Sequence, residues 1–100
     1  MVIHSVFFWL QPGTSEAQRA EFAVGLEALR SVAGVDSLFV GKPAAIEPRP
    51  VVDDSYSYAL SIMFKDLAAH DAYQVDPAHK AFIEKFRALW AKVQIYDAAN

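Results

Sequence analysis

Apolar residues fill both alternating faces of the opening segment, residues 2–10 (VIHSVFFWL): Val2, Val6, Phe8 and Leu10 on one, Ile3, Phe7 and Trp9 on the other. A strand with that pattern needs cover on both sides. Beyond the turn signal Gln11-Pro12-Gly13, Ser15 followed by Gln18 gives a capping-box start, and Phe22, Leu26, Leu29 and Ala33 recur at helical spacing. Gly34 suits the end of that helix. A short strand is predicted over 35–40, closed by Gly41-Lys42-Pro43, and the three prolines of 43–54 predict a loop lying over a neighbouring surface.

Residues 56–64 then alternate, with Tyr56, Tyr58, Leu60, Ile62 and Phe64 facing one way and Ser57, Ala59, Ser61 and Met63 the other. That is the pattern of a central strand with one large and one small face. From Lys65 the period becomes helical, with Asp66 as a cap and Leu67, His70 or Asp71, and Tyr73 or Gln74 along a short helix. Asp76-Pro77 restarts it, because Asp is a strong N-cap and Pro is tolerated at the first helical position. Phe82, Phe86, Leu89 and Trp90 or Val93 make the buried stripe, and 93–96 reads as a closing strand.

The order β-α-β-β-α-β, with its second helix broken in two, predicts an α+β fold: a ferredoxin-like sandwich whose helices cover one face of the sheet. Ile3, Phe7 and Trp9 would then lie on the uncovered face, and exposed apolar patches of that kind mark interfaces. A homodimer packed sheet against sheet is expected.

Composition narrows the functional classes. One hundred residues make one domain, spanning 1–100, and an apolar share of 54% is the opposite of a disordered chain. The absence of cysteine removes disulfides, thiolate metal sites and a thiol nucleophile, and fits a cytoplasmic protein. The opening apolar run has no basic leader and is far shorter than the about 20 residues a membrane helix needs, so it is read as a strand rather than a signal peptide or membrane anchor. A net charge of −3 without a basic cluster offers no footprint for a phosphate backbone, so nucleic acid is not expected as a partner.

The candidate chemistry centres on 72–82, AYQVDPAHKAF. His79 stands three residues before Phe82 on its helix, so its ring projects toward the apolar face. The helix N-terminus and partial desolvation both favour a neutral ring that accepts a proton. A general base is one reading of His79; a histidine that anchors helix to sheet is the other. Tyr73 offers a hydroxyl to orient His79 or to stabilise an enolate oxygen, or else is a buried tyrosine using His79 as its partner. His4 joins the pocket if its strand face meets the helices. Val6, Phe8, Phe22, Leu26, Leu60, Ile62, Phe64, Phe82 and Trp90 are the candidate walls of an apolar cavity, or plain core. No metal site is expected, because His4, His70 and His79 lack a ligand spacing such as i, i+4 on one helix.

The opening strand with His4, the TSEAQ helix start, SYSYALSIMFKD, YQVDPAHKAF and the LWAKVQIYD ending together make the chain resemble the stress-responsive dimeric α/β-barrel (Dabb) family. The resemblance implies homodimers whose two four-stranded sheets close into a barrel. The best understood enzyme of that family is a plant polyketide cyclase performing an intramolecular aldol condensation without a cofactor. By that resemblance its catalytic tyrosine and histidine correspond to Tyr73 and His79, and a further pocket histidine to His4. Two positions depart from the pattern: Asp76 stands where many members carry histidine, and Leu26 where the cyclase has a tunnel tyrosine. Two functions are therefore expected: a cofactor-independent, cyclase-like lyase or binding protein for a small apolar carbonyl compound, or a non-catalytic stress-associated homodimer with a vestigial pocket. A substrate pocket between sheet and helices of about 300 Å³ or more would separate them.

Overall fold

A computed structural model describes all of residues 1–100. Four strands, β1 (Val2–Leu10), β2 (Val35–Gly41), β3 (Tyr58–Phe64) and β4 (Trp90–Ala99), form one antiparallel sheet in the order β2-β3-β1-β4. Three helices, α1 (Glu16–Ala28), α2 (Leu67–Val75) and α3 (Pro77–Phe86), connect them. Strands β1 and β2 are parallel with β3 between them, and β3 and β4 are parallel with β1 between them. Both connections are therefore crossovers, and the shared right-handedness of such crossovers puts all three helices on one face. This is the ferredoxin-like α+β fold.

The starts of the helices follow from local hydrogen bonding. Ser15 Oγ accepts from Gln18 N at 3.1 Å while the Gln18 side chain accepts from Ser15 N at 2.9 Å, a complete capping box. Asp66 accepts from Ala69 N at 2.9 Å and opens α2. Asp76 ends α2 and opens α3 by accepting from Ala78 N at 2.8 Å, with Pro77 directly after it. One extended residue between two helices is enough to turn their axes.

The core lies between the helices and the face carrying Val2, Val6, Phe8 and Leu10 of β1, Leu38 of β2 and Tyr58, Leu60, Ile62 and Phe64 of β3. From the helices come Phe22, Leu26, Tyr73, Phe82 and Phe86. The opposite face carries Phe7, Trp9 and Tyr96 without any helix over them, and Phe39 and Tyr96 are mostly exposed.

Four local expectations are corrected. Helix α1 ends at Ala28 in a single 3₁₀ turn, so Val32, in extended conformation, is buried where Ala33 was expected. Gly34, with φ of +91°, accordingly turns the chain into β2 rather than capping the helix. Strand β3 begins at Tyr58, because Ser57 spends its backbone N–H on Phe8 O at 2.7 Å and its hydroxyl on Leu10 N at 3.0 Å. That irregularity swings Tyr56 to the open face, 5.0 Å from the ring of Phe7, instead of keeping it in step with Tyr58. Finally, β4 is ten residues long rather than four, because it pairs with all of β1 from Val2↔Ala99 to Leu10↔Trp90.

Candidate active site

The end of the helix layer built from α2 and α3 does not close completely on the sheet. It leaves a cavity of about 120 Å³ lined by His4, Val6 and Phe8 of β1, Leu60 of β3, Tyr73 and Gln74 of α2, His79, Phe82 and Ile83 of α3, and Trp90, Val93 and Ile95 of β4. Each lining residue is there for a local reason. His4, Val6 and Phe8 occupy the helix-facing register of β1. Tyr73 closes the last turn of α2 and His79 sits in the first turn of α3, so the Asp76-Pro77 junction brings the two rings together. Trp90 reaches the helix side through a bulge: Trp9 pairs with Lys92 but Leu10 pairs with Trp90, leaving Ala91 as the extra residue.

Tyr73 and His79 meet ring against ring, with centroids 4.3 Å apart and planes 36° apart. The expectation that the tyrosine hydroxyl orients the histidine is corrected accordingly: His79 Nδ1 instead lies 3.4 Å from the backbone oxygen of Gln74, one of the carbonyls left free at the end of α2. A carbonyl only accepts, so Nδ1 carries the proton and Nε2 keeps its lone pair. Burial pulls the His79 pKa below its ordinary value, and repulsion from His4, whenever that ring is protonated, adds to this; the Gln74 hydrogen bond and Asp76 oppose the shift without cancelling it. The ring is neutral at physiological pH. Burial pushes the Tyr73 phenol well above its usual range, so it stays protonated and can act as a hydrogen-bond donor.

His4 faces the helices and is 3% exposed, which answers the question its alternating strand left open. Its Nδ1 lies 2.5 Å from Asp97 Oδ1. A carboxylate only accepts, so this bond fixes the proton on Nδ1 and leaves Nε2 as the acceptor. An imidazole held in one tautomer by a carboxylate is the base-and-orienter pairing used in nucleophile activation.

Of the other expected wall residues, Val6, Phe8, Leu60, Phe82 and Trp90 line this cavity. Phe22, Leu26, Ile62 and Phe64 do not; each is fully buried in solid core, Phe22 among Phe8, Tyr58 and Phe86, and Phe64 against His70 and Tyr73 of α2. Sequence reasoning passed over Asp97, Gln74, Ile83, Val93 and Ile95. The signal for Asp97 was the strand register: ending the closing strand at Tyr96 hid the His4↔Asp97 pair. A larger groove of about 340 Å³ runs between α1 and α3 on the outer surface, over Gly25 and Phe86. Glu21 and Lys85 are its only charged lining residues and it holds no histidine or tyrosine, so the smaller cavity is the candidate site.

A sequence model of the Stress Responsive A/B Barrel Domain, Dabb, matches residues 2–100. The chain belongs to the Dabb family. Olivetolic acid cyclase of Cannabis sativa is 22% identical over 97 residues, covering 96% of this chain and 93% of the cyclase. Among solved structures, the hydroxynitrile lyase of Passiflora edulis superposes with a TM-score of 0.83 at 20% identity, over 99% of this chain and 93% of that one. A dimeric ferredoxin-like protein of unknown function from Thermobifida fusca matches with a TM-score of 0.80 at 16% identity, over 99% and 90% of the two chains. At these identities the structural likeness shows the fold. No helix of this Dabb chain is long and apolar enough to cross a membrane.

Proposed function

We propose that this Dabb protein is a homodimer that binds a small, largely apolar carbonyl compound between sheet and helices and acts on it as a cofactor-independent lyase of the cyclase type. The observation that supports the reading is the stacking of a neutral His79 on a protonated Tyr73 in a mostly apolar cavity. In the reaction, His79 Nε2 takes the acidic proton from the carbon next to the carbonyl. The Tyr73 hydroxyl donates to the oxygen on which the electrons collect, and the low dielectric of the cavity strengthens that bond. His4, held by Asp97, is a second acceptor on the same cavity wall. Kinship with a cyclase and structural likeness to a hydroxynitrile lyase support the choice of carbonyl chemistry.

The cavity volume constrains the ligand. At about 120 Å³ the space is close to the roughly 150 Å³ of an engineered cavity that accepts benzene, and below the roughly 300 Å³ of ordinary ligand pockets. A compound near the size of a single six-membered ring fits; a long polyketide needs lining side chains to move aside. The small volume also favours the second reading, a non-catalytic dimer with a vestigial pocket.

Exchange of the α-hydrogens of cyclohexanone in heavy water separates the two, because it reads proton abstraction without knowledge of the natural substrate. The lyase reading expects exchange above background that is lost in His79→Ala; no protein-dependent exchange, with His79 ring signals that ignore the ketone, leaves the vestigial pocket. For assembly, sedimentation is expected to show a two-subunit species, weakened by Phe7→Asp on the open face, since an unpaired charge in a dry interface is strongly unfavourable. A stable monomer at micromolar concentration would remove the barrel.

A further inference from the structure

Behind the cavity wall formed by His4, three groups from three elements converge on one point: His4 of β1, His70 of α2 and Asp97 of β4, whose ligand atoms all lie within 4.8 Å of one another. The protons in this cluster leave a gap. His70 Nδ1 lies 3.0 Å from a carboxylate oxygen of Asp71, so it is the donor there and the His70 proton is used. His70 Nε2 then presents its lone pair to Asp97 Oδ1 at 3.3 Å, and it is buried without any hydrogen-bond partner. Two acceptors face each other across 3.3 Å, an arrangement that calls for a positive charge between them.

The geometry points to a binding site for a divalent transition-metal ion, zinc or a metal of similar preference, held by His4 Nδ1, His70 Nε2 and Asp97. Bond lengths of about 2.0–2.2 Å in a tetrahedral zinc site put ligand atoms about 3.3 Å apart. The His70–Asp97 separation of 3.3 Å already matches. The 2.5 Å His4–Asp97 contact must open as the ion replaces the proton, and Asp97, whose side chain is 41% exposed near the end of an edge strand, has room to move. The Asp71 carboxylate on the outer nitrogen of His70 is the carboxylate–histidine pairing that orients metal-bound imidazoles. Two imidazoles and one carboxylate select zinc, nickel or copper over magnesium and calcium, which take all-oxygen sites. Three protein ligands leave one position for water.

The ion would tie the end of β4 to β1 and α2. It would also reverse the polarity of His4 toward the cavity: with the metal on Nδ1, the remaining proton sits on Nε2, which turns from acceptor to donor. That consequence rests on the cavity reading above; the metal site itself does not.

Cobalt titration of the untagged protein, followed by its visible absorption and repeated with zinc in a calorimeter, tests the site directly. The expected result is a saturable tetrahedral cobalt spectrum at one ion per chain. It should be lost in His70→Gln and in Asp97→Asn, and weakened about 10–100-fold in Asp71→Asn. Nitrogen-15 shifts of His4 should report the proton moving to Nε2 as zinc loads. If His70→Gln does not fold, Asp97→Asn at its exposed edge carries the test alone. Absence of saturable binding, or an affinity unchanged in these variants, overturns the site and leaves a proton as the occupant of the gap.

Discussion

The same sheet is covered in two different ways. Under α1, Phe22 and Leu26 are completely buried, and Phe22 meets Phe8, Tyr58 and Phe86 edge to face at 5.1, 5.6 and 5.3 Å. Under α2 and α3, Tyr73, His79 and His4 sit among the apolar rings of Phe64, Phe82 and Trp90, and a cavity remains. Purely apolar rings can turn until they interlock. Two imidazoles cannot turn as freely: His79 is drawn toward Gln74 O and His4 toward Asp97, and each keeps the angle its hydrogen bond requires. The void lies where hydrogen-bonded imidazoles enter a layer otherwise filled by hydrocarbon, and the proposed chemistry is drawn from that half.

The largest effect that can break this contrast is on stability. Phe22→Ala should cost about 3–5 kcal/mol, as large-to-small changes at fully packed aromatic sites do, measured by urea denaturation at constant slope. A loss of less than about 1 kcal/mol would mean that the α1 half is not the tightly packed one.

On the other half the dominant effect should be catalytic. His79→Ala is expected to lower the α-hydrogen exchange rate by about 10²–10⁴-fold, the usual contribution of a positioned general base, while shifting the denaturation midpoint far less than Phe22→Ala does. A variant that unfolds as readily as Phe22→Ala but exchanges normally would make His79 an anchor between helix and sheet.

A pH series sharpens the comparison further. The folded-state pKa of His79 is depressed, chiefly by burial, so the unfolded chain binds the extra proton more readily between that value and the ordinary 6.5. Stability should be full above pH 6.5 and fall as the pH drops below it. Histidines 4 and 70 and the carboxylates of Asp76 and Asp97 lie close by, so the informative quantity is the wild-type profile minus that of His79→Gln. That difference should slope upward with pH through the window; a flat difference would mean that the ring is as well solvated in the folded protein as in the unfolded one.

Much of the architecture is legible in local pattern, because its causes are local. Ser15 with Gln18, Asp66, and Asp76 with Pro77 announce the three helix starts by chemistry that spans four residues or fewer. The alternation of Tyr58, Leu60, Ile62 and Phe64 gives the buried face of β3 directly. Tyr73, His79 and His4 are legible as candidates from their faces and from family resemblance. What stays hidden depends on pairing across the chain. Asp97 meets His4 across 93 residues of sequence, through a register no local pattern displays. His70 joins them only because α2 crosses above β1. The cavity itself depends on how Tyr73 and His79 stack, and Tyr56 is misplaced by a pair of hydrogen bonds to Ser57 that alternation does not reveal.

The smallest expected effect falls on Trp90, the residue shared by both halves: its ring lies 5.1 Å from Phe8 and 6.1 Å from Phe82, and it walls the cavity. Its indole N–H is buried with no hydrogen-bond partner. Leaving such a donor unpaired costs about 1–3 kcal/mol, whereas replacing tryptophan by phenylalanine removes that burden at the expense of some packed ring area, a change of about the same size. Trp90→Phe should therefore alter the stability of the empty protein by no more than about 1 kcal/mol, toward stabilisation if the orphaned donor dominates. With cyclohexanone present the sign should turn: a ketone oxygen that uses the indole N–H stabilises the wild type more than the variant, by about the 0.5–1.5 kcal/mol of one neutral hydrogen bond. An equal ligand-induced shift in the two proteins would place the ketone oxygen on Tyr73 alone and leave the indole as a wall.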